Sequence, residues 1–112
     1  MTFLTPIRIS FGPPEMNPSG MLCEDECPST ALPFKTSWFT LPPGKMSALD
    51  AHKVSELWIL HKGSGILYSG DAQIPLYARN AVFFAPWIPH QVMATGAEPL
   101  TVLSIWWPEV RE

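Results

Sequence analysis

From Phe34 onward the chain alternates short apolar runs with proline- or glycine-bearing breaks. Each run is too short for a helix of ordinary length, and many are rich in β-branched or aromatic residues, which predicts strands joined by turns. Strands are expected at Phe34–Leu41, Ile66–Ser69, Gln73–Tyr77, Ala81–Ala85, His90–Ala94 and Leu100–Trp107, with two short ones within Asp50–Leu60 around Lys53-Val54-Ser55. Turns fall at Pro42-Pro43-Gly44, Lys62-Gly63-Ser64-Gly65, Gly70-Asp71, Arg79-Asn80, Pro86-Trp87-Ile88-Pro89 and Thr95–Pro99. The last strand is apolar on both faces apart from Thr101 and Ser104. Before Phe34 the pattern weakens. Phe3–Ser10 alternates enough for an edge strand, and Phe11–Pro33 reads as an irregular arm that crosses another element or a partner subunit. The organisation expected is an arm over residues 1–33 and a barrel over residues 34–112, within a single domain. About eight or nine strands suit an all-β fold, a closed barrel or jelly roll.

Composition narrows the picture. The 13 prolines among 112 residues leave no room for long helices. Apolar residues make up 46% and aromatic residues 12%, with five Trp, which excludes a disordered chain. Seven basic against ten acidic residues, without a basic cluster, speaks against nucleic acid as a partner. No apolar run reaches the length of a membrane span, and the first residues lack a basic start followed by a long apolar stretch. A cytoplasmic protein that binds neither membrane nor nucleic acid is therefore expected. Cys23 and Cys27 flank three acidic residues, whose charge raises thiol pKa and disfavours a reactive thiolate.

The chemistry concentrates in two stretches. Asp50, His52 and Glu56 share parity, and on a strand they would point to one face together with Trp58 and Leu60. A carboxylate among Trp and Leu is costly unless it is paired, protonated or bound to a cation. In the second stretch, His90 leaves the proline-stiffened turn Pro86–Pro89 and enters a strand.

These stretches resemble the two motifs of the cupin superfamily. The first motif, Gly, five residues, His, one residue, His, three or four residues, Glu, six residues, Gly, is matched at Gly44, His52, Glu56 and Gly63, with Asp50 in place of the first His. In the second motif His90 takes the His position, while Arg79 and Trp87 replace the two glycines, Ala85 the proline and Ala94 the final Asn. The resemblance spans Phe34 to Trp107 and implies a cupin-type jelly-roll β-barrel. It also implies a metal site carried by Asp50, His52, Glu56 and His90, a mixed N/O set accepting Fe(II), Mn(II), Zn(II) or Ni(II). Should Asp50 reach the metal only through water, His52, Glu56 and His90 would resemble a triad of two His and one carboxylate. The competing reading is a hydrogen-bonded polar cluster without metal.

Trp38, Trp58, Phe84, Val92 and Tyr68 are the candidates for a substrate pocket, with Gln73 and Tyr77 as further polar groups and His61 as an exposed turn residue. Trp106 and Trp107 send one indole to each face of the last strand, covered either by the arm or by a second copy in a homodimer. The function expected is a metal-dependent enzyme acting on a small organic substrate by isomerisation, cyclisation or lyase chemistry, or by dioxygen chemistry at Fe(II), with Glu56 or a water on the metal moving the proton. A non-catalytic small-molecule-binding module is the alternative.

Overall fold

The computed structural model describes residues 6–28 and 32–108. Among these residues there are nine strands: β1 Glu15–Met16, β2 Leu22–Asp25, β3 Lys35–Leu41, β4 Ser55–Lys62, β5 Ser64–Ser69, β6 Ala72–Tyr77, β7 Ala81–Phe84, β8 Gln91–Ala94 and β9 Leu100–Trp107. They form a six-stranded sheet in the order β1-β2-β3-β9-β4-β7 and a three-stranded sheet in the order β6-β5-β8, with every named pairing antiparallel. Residues 44–50 run beside β8 as an irregular fourth strand, bridging Met46 to Met93 and Asp50 to His90. No helix of the described residues is long and apolar enough to cross a membrane.

Period-two alternation builds the core. Phe39 and Leu41 of β3, Leu100 and Val102 of β9, and Trp58 and Leu60 of β4 point from the large sheet toward Leu67, Leu76, Val92 and Ala94 of the small one. Leu41, Leu60, Leu67, Val92, Leu100 and Val102 are the largest of the essentially inaccessible side chains, each contributing about 1.5–3 kcal/mol through burial. Near one end of this core the inward positions change character: Trp58 is followed toward the rim by Glu56, and Val102 by Ser104 and Trp106. That end is where the site lies.

Three expectations are corrected. The edge strand expected over Phe3–Ser10 falls partly on residues 1–5, outside the described residues, and residues 6–10 form no regular strand because their backbone groups do not enter a continuous ladder. Regular pairing comes later in the arm, where β2 joins β3 across four residue pairs. Between β1 and β2, the Asn17 carboxamide accepts from the backbone N–H groups of Ser19 and Met21 and shapes the turn. Around Lys53 a single strand begins at Ser55, so His52 sits on a loop. Cys23 packs half-buried against the core, where burial and then the charge of Asp25 push its thiol up.

Several turns place residues in the left-handed region. Gly63 has φ 85°, and a Cβ there would lie 2.6 Å from the Pro99 carbonyl oxygen. Arg79 and Trp87, which stand where the motif has glycine, are the non-glycine residues with positive φ among the described residues, at 73° and 67°. Each holds a conformation that costs an L-residue about 1–2 kcal/mol. Gly63→Ala is therefore expected to lose about 2 kcal/mol or more. Trp87→Gly, whose side chain is 65% exposed, is expected to be neutral or to gain up to about 1 kcal/mol. Urea denaturation of the two variants checks both signs.

Candidate metal centre

Three segments converge at the open end of the barrel. Glu56 is the second residue of β4, His90 immediately precedes β8, and His52 lies on the loop before β4. The proline-stiffened turn ties these segments together. The Trp87 backbone N–H donates to the His52 carbonyl at 2.6 Å, and His90 exchanges both backbone hydrogen bonds with Asp50, at 2.8 and 3.0 Å. The local strain at Trp87 thus belongs to the turn that brings the two histidines together.

The side chains form one cluster. His90 Nε2 lies 3.3 Å and His52 Nε2 3.9 Å from Glu56 Oε1. One ligand atom from each of the three residues falls within 4.8 Å of the others. The His90 ring is stacked on Phe84 at 4.2 Å and meets the Trp58 ring edge-on at 5.2 Å. Its Nδ1 lies 2.9 Å from the Ile88 carbonyl. A carbonyl only accepts, so Nδ1 carries a proton and Nε2 is turned toward Glu56.

The two oxygens of Glu56 differ sharply. Oε2 accepts from the Trp58 indole N–H at 2.9 Å and from the Ser104 hydroxyl at 2.6 Å. Oε1 is buried with no hydrogen-bond partner and faces both imidazoles. An unmatched buried carboxylate oxygen is expensive, and a cation shared with two imidazole nitrogens would match it. Ligands about 2.1 Å from one cation stand about 3.0–3.5 Å apart, so the observed spacing needs only a small closure. The donor set therefore fits a divalent metal, and the Ile88 carbonyl supplies the outer hydrogen bond that orients a ligating histidine.

Burial pushes the Glu56 carboxyl up, but the closeness and charge of the His90 ring and the hydrogen bonds from Ser104 and Trp58 outweigh it, and the net shift is down. Burial likewise pushes His90 down, while the nearby Glu56 carboxylate, the hydrogen bond to the Ile88 carbonyl and the charge of Asp50 carry it up.

The structure gathers three of the four expected ligands. Asp50 stands beside His90 through backbone pairing, but its side chain is exposed and lies outside the three-residue cluster. It acts on His90 through its charge. A cavity of about 320 Å³ opens from the cluster, lined by His52, Val54, Glu56 and Trp106.

The expected pocket residues divide. Trp58 and Phe84 pack around His90, and Val92 is wholly buried in the core. Trp38 is a correction: it pairs with Leu103, which puts it on the outer face of the sheet, opposite Phe39. Tyr68 is another, since it alternates with the inward Leu67 and shares its face with Gln91. Gln73, Tyr77 and His61 are exposed. Ser104, Val54 and Trp106 complete the site and were not singled out for it. The parity of Ser104 and Trp106 with Val102 was the available signal, whereas nothing local marks Val54.

A closed antiparallel jelly roll with two imidazoles and one carboxylate converging at its open end defines a small-barrel class with a candidate mononuclear metal centre. The cupin domain model matches residues 37–106, and the chain belongs to the cupin family. It is 31% identical over 75 residues to auxin-binding protein 1 of Arabidopsis thaliana, covering 59% of this chain and 38% of that longer protein. Among solved structures, it is similar to a cupin 2 conserved barrel domain protein from Salinispora arenicola, with TM-score 0.74, 24% identity and coverage of 96% and 89% of the two chains. It is also similar to a protein from Thermotoga maritima described as a predicted oxalate decarboxylase, with TM-score 0.76, 19% identity and coverage of 90% and 94%. At these identities the two structures attest the fold.

In the metal-free protein, Glu56 contributes stability above its usual 4.5, lost as pH falls through its lowered folded value. His90 contributes stability below its usual 6.5, lost as pH rises through its raised folded value. The pair is thus expected to stabilise metal-free protein most between about pH 4.5 and 6.5. Melting of chelator-treated protein across pH 3–9 checks this, and His90→Gln should flatten the alkaline limb.

Proposed function

We propose that this chain is a metal-dependent cupin enzyme acting on a small organic substrate, with His52, Glu56 and His90 holding a divalent cation. The observation that carries this reading is the buried Glu56 Oε1, unpartnered and facing two imidazoles at the floor of a cavity. Mixed nitrogen and oxygen donors suit Fe, Mn, Zn or Ni. When bound, such a cation supplies Lewis acidity toward a carbonyl or enol oxygen, and Fe(II) would also supply dioxygen chemistry.

The chain's own residues do the rest. Trp58 and Ser104 hold Oε2, so that Oε1 is the oxygen turned to the cation position. The Ile88 carbonyl fixes the His90 ring, and Val54 and Trp106 give the cavity apolar walls that limit water. Of the two roles expected of Glu56, ligand and proton carrier, this arrangement supports the first, because a proton on Oε1 would compete with the cation. His52, 44% exposed at its side chain, is the titratable group best placed to meet substrate.

A second reading, a non-catalytic binding module, draws on the cavity lining, where the titratable side chains are those of His52 and Glu56. The similarity to auxin-binding protein 1 supports that reading too.

Elemental analysis of purified protein is expected to find about one divalent metal per chain, absent from His52→Ala and His90→Ala. Ser104→Ala should fold yet bind metal about 10–100-fold more weakly. A wild-type protein that purifies without metal, and whose melting temperature does not move when Fe, Mn, Zn or Ni is added, overturns the metal reading. With metal established, turnover of enol or 1,3-dicarbonyl compounds supports the enzyme, and reversible binding without turnover supports the module.

A further inference from the structure

One inward row of the large sheet carries a carboxylate and an ammonium two strands apart. Pairing sets Lys35 of β3 opposite Trp106 of β9, and Trp106 opposite Glu56 of β4. Residues paired across antiparallel strands project to the same face, so all three point to the barrel side of the sheet. Two inter-strand steps separate Lys35 from Glu56, a Cα distance of about 10 Å. The inward positions that follow Lys35 on β3 are Ser37, Phe39 and Leu41, the last two in the core. Lys35 is the first residue of its strand and is exposed, so it stands at the rim of the barrel, on the side where the site opens.

Two hollows lie along this row and adjoin. The cavity of about 320 Å³ at the metal cluster is lined by His52, Val54, Glu56 and Trp106. A second, of about 240 Å³, has Phe34, Lys35 and Pro108 in its lining and shares Val54 and Trp106 with the first. Val54 and Trp106 are thus a common wall, with His52 and Glu56 on one side and Lys35 on the other. Among the residues that line the two hollows, the acidic side chain is that of Glu56 and, apart from His52, the basic one is that of Lys35. Lys53, next to His52 in the chain, lines neither.

The charge balance of this space favours an anion. A divalent cation held by two neutral imidazoles and one carboxylate leaves the centre with positive charge in excess. Lys35 adds a second positive charge beyond Trp106. A neutral ligand between apolar walls would leave both unmatched, whereas an acid matches them.

We propose that the substrate of this site is a small organic acid with oxygen donors at one end and a carboxylate at the other. The donors meet the cation position beside His52 and Glu56, the carboxylate meets the Lys35 ammonium, and the carbon skeleton lies along Trp106 and Val54. This names the substrate class of the metal-dependent site proposed above and rests on that reading. Lys35 is then a specificity determinant that selects acids over their esters. An ammonium has three donors, so Lys35 can hold a carboxylate oxygen alongside a protein partner.

Calorimetric titration of the zinc-loaded full chain at low salt tests this, with the straight-chain dicarboxylates from malonate to adipate and the monomethyl ester of each. The ester keeps one carboxylate for the cation and loses the second charge. At least one diacid is expected to bind about tenfold more tightly than its ester. Lys35→Gln should bring that ratio close to one while leaving the ester's affinity and the zinc content unchanged, and Lys35→Arg should restore most of it. Lys53→Gln should keep the ratio, and Trp106→Leu should weaken diacid and ester alike. Far-UV circular dichroism confirms that each variant folds, and the wild-type comparison of diacid with ester needs no variant. Zinc-loaded protein that binds no diacid, binds diacid and ester equally, or keeps its preference in folded Lys35→Gln overturns this inference and leaves the metal centre standing. Protein that takes up no zinc overturns the metal reading, and this inference falls with it.

Discussion

A carboxylate buried between two sheets must be matched on both oxygens, and Glu56 is matched on one. Trp58 and Ser104, from the same and the neighbouring strand, saturate Oε2. Oε1 is left facing His52 and His90, which arrive from a loop and from the opposite sheet. Leaving that oxygen bare in an apolar surround would cost more than an ordinary hydrogen bond returns. The surrounding architecture serves this one group: Phe84 stacks on His90, the Ile88 carbonyl sets its proton, and the strained turn at Trp87 holds His52 and His90 in reach.

The same sheet that buries Glu56 on one face presents Leu57, Ile59, Leu103 and Ile105 on the other. β9 is central to both faces. Its inward positions run from Leu100 and Val102 in the core to Ser104 and Trp106 at the site, and its outward positions form the apolar face. Because the strand twists as a unit, the inner and outer contacts share one backbone position. The placing of Glu56 and Ser104 and the make-up of the outer face therefore rest on a common register between β4 and β9.

Much of the fold was legible in the chain. The short apolar runs from Phe34 to Trp107 between Pro and Gly breaks became β3 to β9 with small shifts at their ends, except that the two short strands expected within Asp50–Leu60 gave way to the single β4. His52, Glu56 and His90 stood out because polar ligands at apolar, inward-parity positions need a reason, and the structure brings the three together. The places of Trp38 and Tyr68 were not legible. Each sits on a strand whose two faces both carry large apolar residues, so alternation cannot tell which face is inside. Asp50 was ambiguous for a different cause: strand parity was assumed through residues 50–54, where the backbone instead forms a bridge at Asp50 and then a loop.

What the chain determines by itself is local: where strands can form, where glycine or a tolerant residue must turn the backbone, and which side chains are too polar for an apolar face. Gly63 shows this, since its turn takes the left-handed φ that glycine holds at least cost. Tertiary structure alone decided the rest. It chose which face of β3, β4 and β9 became the interior and placed Ser104 against Glu56, 48 residues away. It also left Asp50 exposed while its neighbour across the bridge was buried. These outcomes depend on strand pairing between distant segments, whose energies are set by packing that no local stretch contains.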